Sequence, residues 1–332
     1  MIIPGDWWLA MGFTVLVPMQ YHCLMSTPLM ITVWLADYQG HDLGRYGALF
    51  QCRVPTPVGF VVTHRALQEV FFTPTTKMKI ESVRDAYVAD GTYEIESGRA
   101  QIAELIKNIR IPRVFSHSIT HKYEQMLEKE HLTQGREVSH LDRAKHVLAY
   151  VYRPPTVSIS TMPVPNITTI ASGSTSILES LKQVVIDHLC LHLHAKNELT
   201  LPSILIRRVP QAEFVGTCEQ RERDMSPELI ISAFHGAVAL DIAPDVFVVD
   251  PSTLELTARH TMTQPYKMVL HGNHYKQVPL PESLGSLPNI SDEIVQRVAK
   301  ITLDIKRKLY FPHKIYWAIE AGRLIIIDIK KS

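Results

Sequence analysis

Three observations predict a mixed α/β (α+β) fold of two subdomains. Short runs rich in β-branched residues alternate with stretches whose apolar positions recur at steps of three and four. The C-terminal end reads as one amphipathic helix followed by a hairpin. The chain is also long enough, at 332 residues with 46% hydrophobic content, for two or three subdomains with sizeable cores, which excludes a disordered or fibrous protein.

Residues 1–28 form an apolar extension. No Lys, Arg, Asp or Glu lies between Asp6 and Asp37, and the first basic residue is Arg45. A secretory signal needs a positive start, which is missing. A membrane span needs about 20 unbroken apolar residues, whereas Gly12, Pro18, Gln20, His22, Ser26 and Pro28 interrupt this run. No span is expected, and the extension should end in a strand near Leu29–Leu35. Pro55 to Gly59 is a rigid turn leading into a strand at Phe60–Thr63 and a helix near His64–Phe72. Ile102, Leu105 and Ile106, then Tyr123, Met126 and Leu127, mark helices between Tyr93 and Glu128. Gln134–Ser139 is polar and reads as a loop.

Val147–Tyr152 is a strand candidate stopped by Pro154 and Pro155. A Pro- and hydroxyl-rich flap loop is expected from Pro154 to Ser176, then a helix to His194 with Ile177, Leu181, Val184 and Val185 in register. Strands are expected at Ser203–Val209 and Val246–Asp250. Ile294, Val298, Ile301, Ile305 and Leu309 define one helix face behind the N-cap Ser291, and strands at Lys314–Ile319 and Leu324–Ile329 flank the turn Ala321-Gly322. The first subdomain is thus expected over 29–200 and the second over 201–332.

The charge balance, 34 Lys+Arg against 33 Asp+Glu, gives no footprint for nucleic acid. Four scattered cysteines without a C-x-x-C pair suit neither a disulfide framework nor a zinc ribbon, so a cytoplasmic or other reducing intracellular compartment is expected. The sequons at Asn166 and Asn289 carry no weight against this. Hydrolase elbows, Walker loops, Gly-x-Gly-x-x-Gly and His-Glu-x-x-His are absent. His188, Cys190, His192 and His194 offer metal-ligand spacing on a helix or a strand. No third partner is spaced to complete a site, which favours an amphipathic helix that happens to be His-rich. His271-Gly-Asn-His274 reads as a polar turn. Gly44-Arg-Tyr-Gly47 reads as a glycine turn, with or without a phosphate to bind. Arg153, at a strand end beside the flap, is either an anion ligand or a surface arginine.

In order along the chain, these segments resemble the nucleotide-binding domain of the phosphoenolpyruvate synthase and pyruvate, phosphate dikinase family. Gly44-Arg-Tyr-Gly47-Ala-Leu49 and Val54-Pro-Thr-Pro57-Val-Gly59-Phe-Val-Val-Thr63 are similar to its Gly-Gly-Lys-Gly segment and Pro-Pro-Gly-Phe-Val-Val-Thr strand. Val151-Tyr-Arg153-Pro-Pro155 stands at its Val-Arg-Ser-Ser-Ala-Thr. Ile206-Arg-Arg-Val209 with Ala212-Glu-Phe-Val-Gly216 resembles its Val-Gln-x-Met-Val and Ala-Glu-Val-Ser-Gly strands. Glu228 to Gly236, Pro244-Asp245 and Val248-Val-Asp250 resemble its Trp-Gly-Leu-Gly-Glu to Pro-Asp-x-Tyr-Val-Val-Asp stretch. Pro312 to Lys330 resembles the closing Asp-Ile-Glu-Trp-Ala hairpin.

The resemblance implies an ATP-grasp-like fold, an N-terminal α/β subdomain and a second subdomain that clamps ATP and Mg²⁺ and ends in a helix and hairpin. It also implies transfer of phosphate to a histidine on a separate domain. The implied nucleotide-site positions are Gly44, Tyr46, Gly47, Arg153, Arg207, Tyr316, Asp328 and Lys330. Several are altered. Tyr46 stands where the family's phosphate-binding lysine belongs. Pro154 and Pro155 replace two serines beside Arg153, and Tyr316 replaces a metal- or nucleotide-binding carboxylate. Asp328 and Lys330 replace Gln and Arg of the closing strand, and the glutamate after the Gly236 segment is missing. Phosphoryl transfer rests on positioning and on charge neutralisation by Mg²⁺, Lys and Arg. These exchanges point to a catalytically degenerate domain (a pseudoenzyme) with a structural or interaction role, weak or lost ATP and Mg²⁺ binding, and a protein partner. The alternatives are an ATP-binding kinase acting on a histidine domain of another chain, or an unrelated α/β protein.

Overall fold

The computed structural model describes residues 30–38, 44–90, 95–134, 148–152, 167–191, 200–223, 226–238, 241–272, 274–310 and 313–331. The N-terminal extension, Arg153, Pro154, Pro155, the flap through residue 166, His192 and His194 lie outside them. In chain order the elements are β1 (Thr32–Trp34), α1 (Gly44–Gln51), β2 (Gly59–Val62), α2 (His64–Phe71), α3 (Pro74–Asp90), α4 (Ile95–Lys107), α5 (Arg113–Gln134), β3 (Leu148–Tyr152), β4 (Ile167–Ser172) and α6 (Ser174–Leu191). There follow β5 (Ile204–Arg208), β6 (Phe214–Arg223), β7 (Ser226–His235), β8 (Asp245–Val249), β9 (Leu256–His260), β10 (Tyr266–His271), β11 (His274–Pro279), α7 (Glu282–Gly285), α8 (Asp292–Leu309), β12 (His313–Glu320) and β13 (Arg323–Lys331).

One sheet has the order β1-β2-β5-β3-β4 and another β13-β12-β6-β7-β8-β9. Every pairing within them is antiparallel, so the mixed class takes its α+β form. Alternate residues of β2 and β5 face opposite sides. Phe60, Val62, Ile204 and Ile206 meet a helical layer that contributes Leu67, Phe71, Ile102, Ile119, Met126 and Leu181. Local signals set these helices. Thr63 Oγ1 accepts from the Ala66 amide at 3.3 Å and starts α2, and Thr73 does the same for Thr76 ahead of Pro74. That cap marks α3, which has little apolar periodicity. Lys182 of α6 donates to the Lys107 and Ile109 carbonyls at 2.7 Å, where α4 leaves acceptors unfilled.

The second sheet buries its core against α8. Ser291 caps that helix through the Ile294 amide, and Lys306, Arg307 and Lys308 occupy its last turn. Val295, Val298, Ala299, Thr302 and Ile305 are buried, while Ile294, Ile301 and Leu309 flank them half-buried. The buried stripe is therefore centred slightly away from the line through the large aliphatic residues, because Ala299 and Thr302 let the helix lie close. Both closing strands belong to this sheet, joined by Ala321 and Gly322 at φ of 49° and 70°, the left-handed turn of a tight hairpin.

Three expectations change. Residues 167–172 are not flap but strand β4, whose Ile167-Thr-Thr-Ile170 run pairs with β3. Strand β5 begins after the expected boundary at residue 200 but is the middle strand of the first sheet. The Gly44–Gly47 segment is a helix rather than a glycine turn. Burial of Tyr46 and Leu49, one helical turn apart, outweighs a glycine penalty of about 1 kcal/mol.

Candidate functional site

Helix α1 lies where the two sheets meet. Tyr46 joins Leu35, Val61 and Leu205 on the reverse face of the first sheet, while Leu49 and Cys52 join the core of the second. Arg207 of β5 projects to the same face as Leu205. Gly59 makes room for it, since a Cβ there would sit 2.7 Å from the Arg207 Cβ. The Arg207 guanidinium lies 5.4 Å from the centre of the Tyr46 ring and donates to the Ile327 carbonyl of β13. The Tyr46 hydroxyl donates to Asp328 Oδ2 at 3.3 Å, and Asp328 Oδ1 accepts from the Ile329 amide at 2.8 Å.

Tyr46, Arg207 and Asp328, far apart in sequence, thus form one contact. Tyr316 stands opposite Asp328 across β12 and β13 and is half-buried. Lys330 is two residues further on, exposed and opposite Lys314. Gly44 and Gly47 enter only as part of α1.

The neighbouring pair was not visible in the sequence. Arg208 donates from both terminal guanidinium nitrogens to Glu320 of β12, at 2.6 and 2.5 Å, and the Gln211 amide adds a third bond at 2.5 Å. Burial raises the Glu320 carboxyl pKa, but the Arg208 bonds and charge and the Gln211 amide outweigh it, so the net direction is down. The only available signal was Arg207-Arg208 in a strand, which sends one guanidinium to each face. Glu320 and Asp328 are therefore both engaged by side chains of the first sheet or α1.

Beyond this joint, the second sheet's face opposite α8 carries Thr217, Ile230, Ser232, Phe234, Val246, Val248 and Tyr316, all half-buried. The Thr217 and Ser232 hydroxyls bond each other at 2.8 Å. Glu219 is paired with Arg221 and, at 3.4 Å, with Lys314. A row of hydroxyls from Tyr316 through Thr217 to Ser232 crosses this face, with Ile230 and Val248 on one side of it and Phe234 on the other. At the sheet's far end Asp245 accepts from the Met262 and Asn289 amides at 2.8 and 2.7 Å. That network buries Asn289, one of the two sequons, and gives the Pro244-Asp245 motif a structural role. Gly236, at φ 68°, brings β10 to the end of β7, for a Cβ would lie 2.2 Å from the Met268 carbonyl oxygen.

Of the histidine cluster, His188 is buried and bonds the Thr200 carbonyl through Nε2 at 2.8 Å. Among the described residues no three His, Cys, Asp or Glu side chains converge on a metal-sized site. No helix of the described residues is long and apolar enough to cross a membrane.

No family model matches the chain. A protein named probable phosphoenolpyruvate synthase from Methanocaldococcus jannaschii is 21% identical over 323 residues, covering 89% of this chain and 25% of that protein. One of the same name from Archaeoglobus fulgidus is 20% identical over 318 residues, covering 90% and 41%. The chain is thus similar along most of its length to proteins named for the family its motifs resemble, and spans less than half the length of either. Among solved structures, the ADP complex of N5-carboxyaminoimidazole ribonucleotide synthetase superposes with a TM-score of 0.30 at 8% identity, over 70% of this chain and 56% of that one. D-alanine-D-alanine ligase from Coxiella burnetii gives 0.24 at 11%, over 65% and 48%. At such scores neither carries an inference.

Proposed function

We propose that the chain is a nucleotide-binding-type domain of the phosphoenolpyruvate synthase kind, ATP-grasp-like in arrangement, that has exchanged its phosphate- and metal-binding side chains and serves a structural or interaction role beside another protein chain inside the cell. The similarity to two proteins named probable phosphoenolpyruvate synthase supports the lineage. One observation carries the degeneracy. Tyr46, at the position the resemblance gives to a phosphate-binding lysine, is 2% exposed and bonds Asp328, with Arg207 against its ring. Groups that would face a triphosphate satisfy one another instead.

Fitting ATP and Mg²⁺ to these residues leaves few ligands. Arg207 lies against the Tyr46 ring, and the phenol of Tyr316 is a poor ligand for a hard cation. Were nucleotide bound, Mg²⁺ would neutralise phosphate charge, and the half-buried face from Ile230 to Val248 would receive the base. A charge-assisted contact contributes about 1.5–3 kcal/mol, so losing two weakens binding by about two to four orders of magnitude.

The test is calorimetric titration of ATP with and without MgCl2 into the unmodified chain, Tyr46→Lys, Tyr316→Glu and the double variant. Weak, Mg²⁺-indifferent binding is expected in the unmodified chain, with the double variant gaining more than either single change. Asp328 is in place to receive the new ammonium. The similarity to the two synthases favours the second reading, an active phosphotransferase acting on a histidine domain. Micromolar, Mg²⁺-dependent ATP affinity in the unmodified chain, or phosphorylation of a supplied histidine domain, would establish it.

A further inference from the structure

The β10–β11 hairpin stands apart from the six-stranded sheet. Its two strands pair with each other, and among the described residues its only other strand-like contact is the bridge from Gly236 and Ala237 to Met268. The register sorts its side chains. Leu270 opposite Tyr275 and Met268 opposite Gln277 share one face, while Lys267 opposite Val278, Val269 opposite Lys276 and His271 opposite His274 share the other. The first face is turned to the body of the molecule, where Leu270 packs with Val209 and Ile170 and Tyr266 donates to Asp241. The second is open from Val269 to Lys276.

Charge on this ribbon is one-sided in a chain that is otherwise balanced. From residue 266 to 279 there is no Asp or Glu, against Lys267, Lys276, His271 and His274; Arg259 on the preceding strand is paired with Asp292. Strand β11 is also an edge. No described strand lies on its outer side, and all of its residues except Val278 are exposed. Pairing alternates along an antiparallel ladder. The Leu280 amide bonds back to the Pro265 carbonyl at 2.9 Å, so the amides of even-numbered residues face β10 and those of Tyr275 and Gln277 face outward. Pro279, which has no amide to offer, stands at the next outward position and bounds the usable edge.

We propose that this ribbon docks an extended acidic segment of another protein, added as a strand beside β11. Its alternate carboxylates lie over Lys276 and His274, within the field of Lys267, and its intervening apolar side chains lie against Tyr275. Open edges recruit strands through backbone bonds, and lysine on an edge selects against neutral or basic strands while attracting acidic ones. The outward amide of Gln277 and the valines between the cations suit a peptide backbone with apolar side chains better than a phosphodiester chain. The proposal does not depend on whether the inter-sheet site binds nucleotide, and its test contains none.

A fluorescein-labelled ten-residue peptide alternating Glu and Val, a matched Lys/Val peptide and a single-stranded oligonucleotide of ten residues are titrated with the full chain by anisotropy at low salt. The Glu/Val peptide is expected to bind. Lys276→Glu should weaken it by about tenfold, and Lys267→Glu added to it by more, both effects shrinking at high salt. Gln277→Pro, which removes one of the two outward amides, should weaken binding at least as much as Lys276→Glu, which, at an exposed position, melts like the parent chain. The proposal is overturned by absence of Glu/Val binding at millimolar peptide, equal binding of the Lys/Val peptide, indifference to Lys276→Glu, or tighter binding of the oligonucleotide.

Discussion

Replacing Glu320 by glutamine should be costly because of what it leaves behind. The Arg208 and Glu320 side chains are 7% and 11% exposed, and their fork-to-fork contact links the middle strand of the first sheet to β12 of the second. Glutamine preserves shape and one acceptor but removes the charge, so the buried guanidinium no longer faces a carboxylate. Breaking such a buried pair from one side costs about 3–5 kcal/mol. The double change Arg208→Met with Glu320→Leu removes both charges and should be nearly neutral by the same principle, apart from about 1 kcal/mol for the Gln211 amide that loses its acceptor.

Urea unfolding at pH 7, followed by tryptophan fluorescence and circular dichroism, compares both variants with the parent chain. With a slope of about 3 kcal/mol/M, the glutamine variant should lose about 1 M or more in midpoint. The pH dependence has a definite sign. The folded Glu320 carboxyl titrates below its ordinary value, so its contribution is complete above about pH 4.3, the unfolded value, and is lost as pH falls through the lower folded value. The gap between parent and Glu320→Gln should hold from about pH 7 to 5 and close only under more acidic conditions. A cost below about 1 kcal/mol, or a double variant as unstable as the glutamine variant, would refute the reasoning.

Two other measurements read burial at single residues. Gly216→Ala should cost about 3 kcal/mol or more by overpacking, because the new methyl would lie 1.8 Å from the Ser232 carbonyl oxygen and 2.5 Å from the Trp317 ring; a soluble variant with an unchanged melting temperature would contradict the β6–β7 register. Cys218, whose thiol burial pushes up to about 12, should resist iodoacetamide in the native state while half-buried Cys190 labels before it, and mass spectrometry of digests would expose the reverse order.

Much of the fold was legible because local rules decide it. The Ser291 cap, the steps of three and four through Ile305 and the Ala321-Gly322 turn are set by neighbours in the chain, and the structure reproduces them. The same holds for β2 and α2, where Pro55 to Thr63 carries both the turn and the cap. Local reading failed where tertiary burial decides. Gly44 to Gly47 looks like a turn in isolation and becomes a helix because Tyr46 and Leu49 each find a core. Strand β5 follows the expected boundary yet belongs to the first sheet, since strand pairing is nonlocal and leaves no mark on either partner's composition.

The candidate site divides in the same way. Residue identities at 46, 316, 328 and 330 are legible in the sequence, and the family resemblance alone sets them against a lysine and a carboxylate of a nucleotide site. That Tyr46, Arg207 and Asp328 meet one another, and that Arg208 grips Glu320 across 112 positions of chain, only the tertiary structure decided. Side-chain chemistry is written residue by residue, whereas the partner of a buried charge is chosen by the packing of two sheets, whose low-dielectric joint leaves each such group stable only when another element supplies its complement.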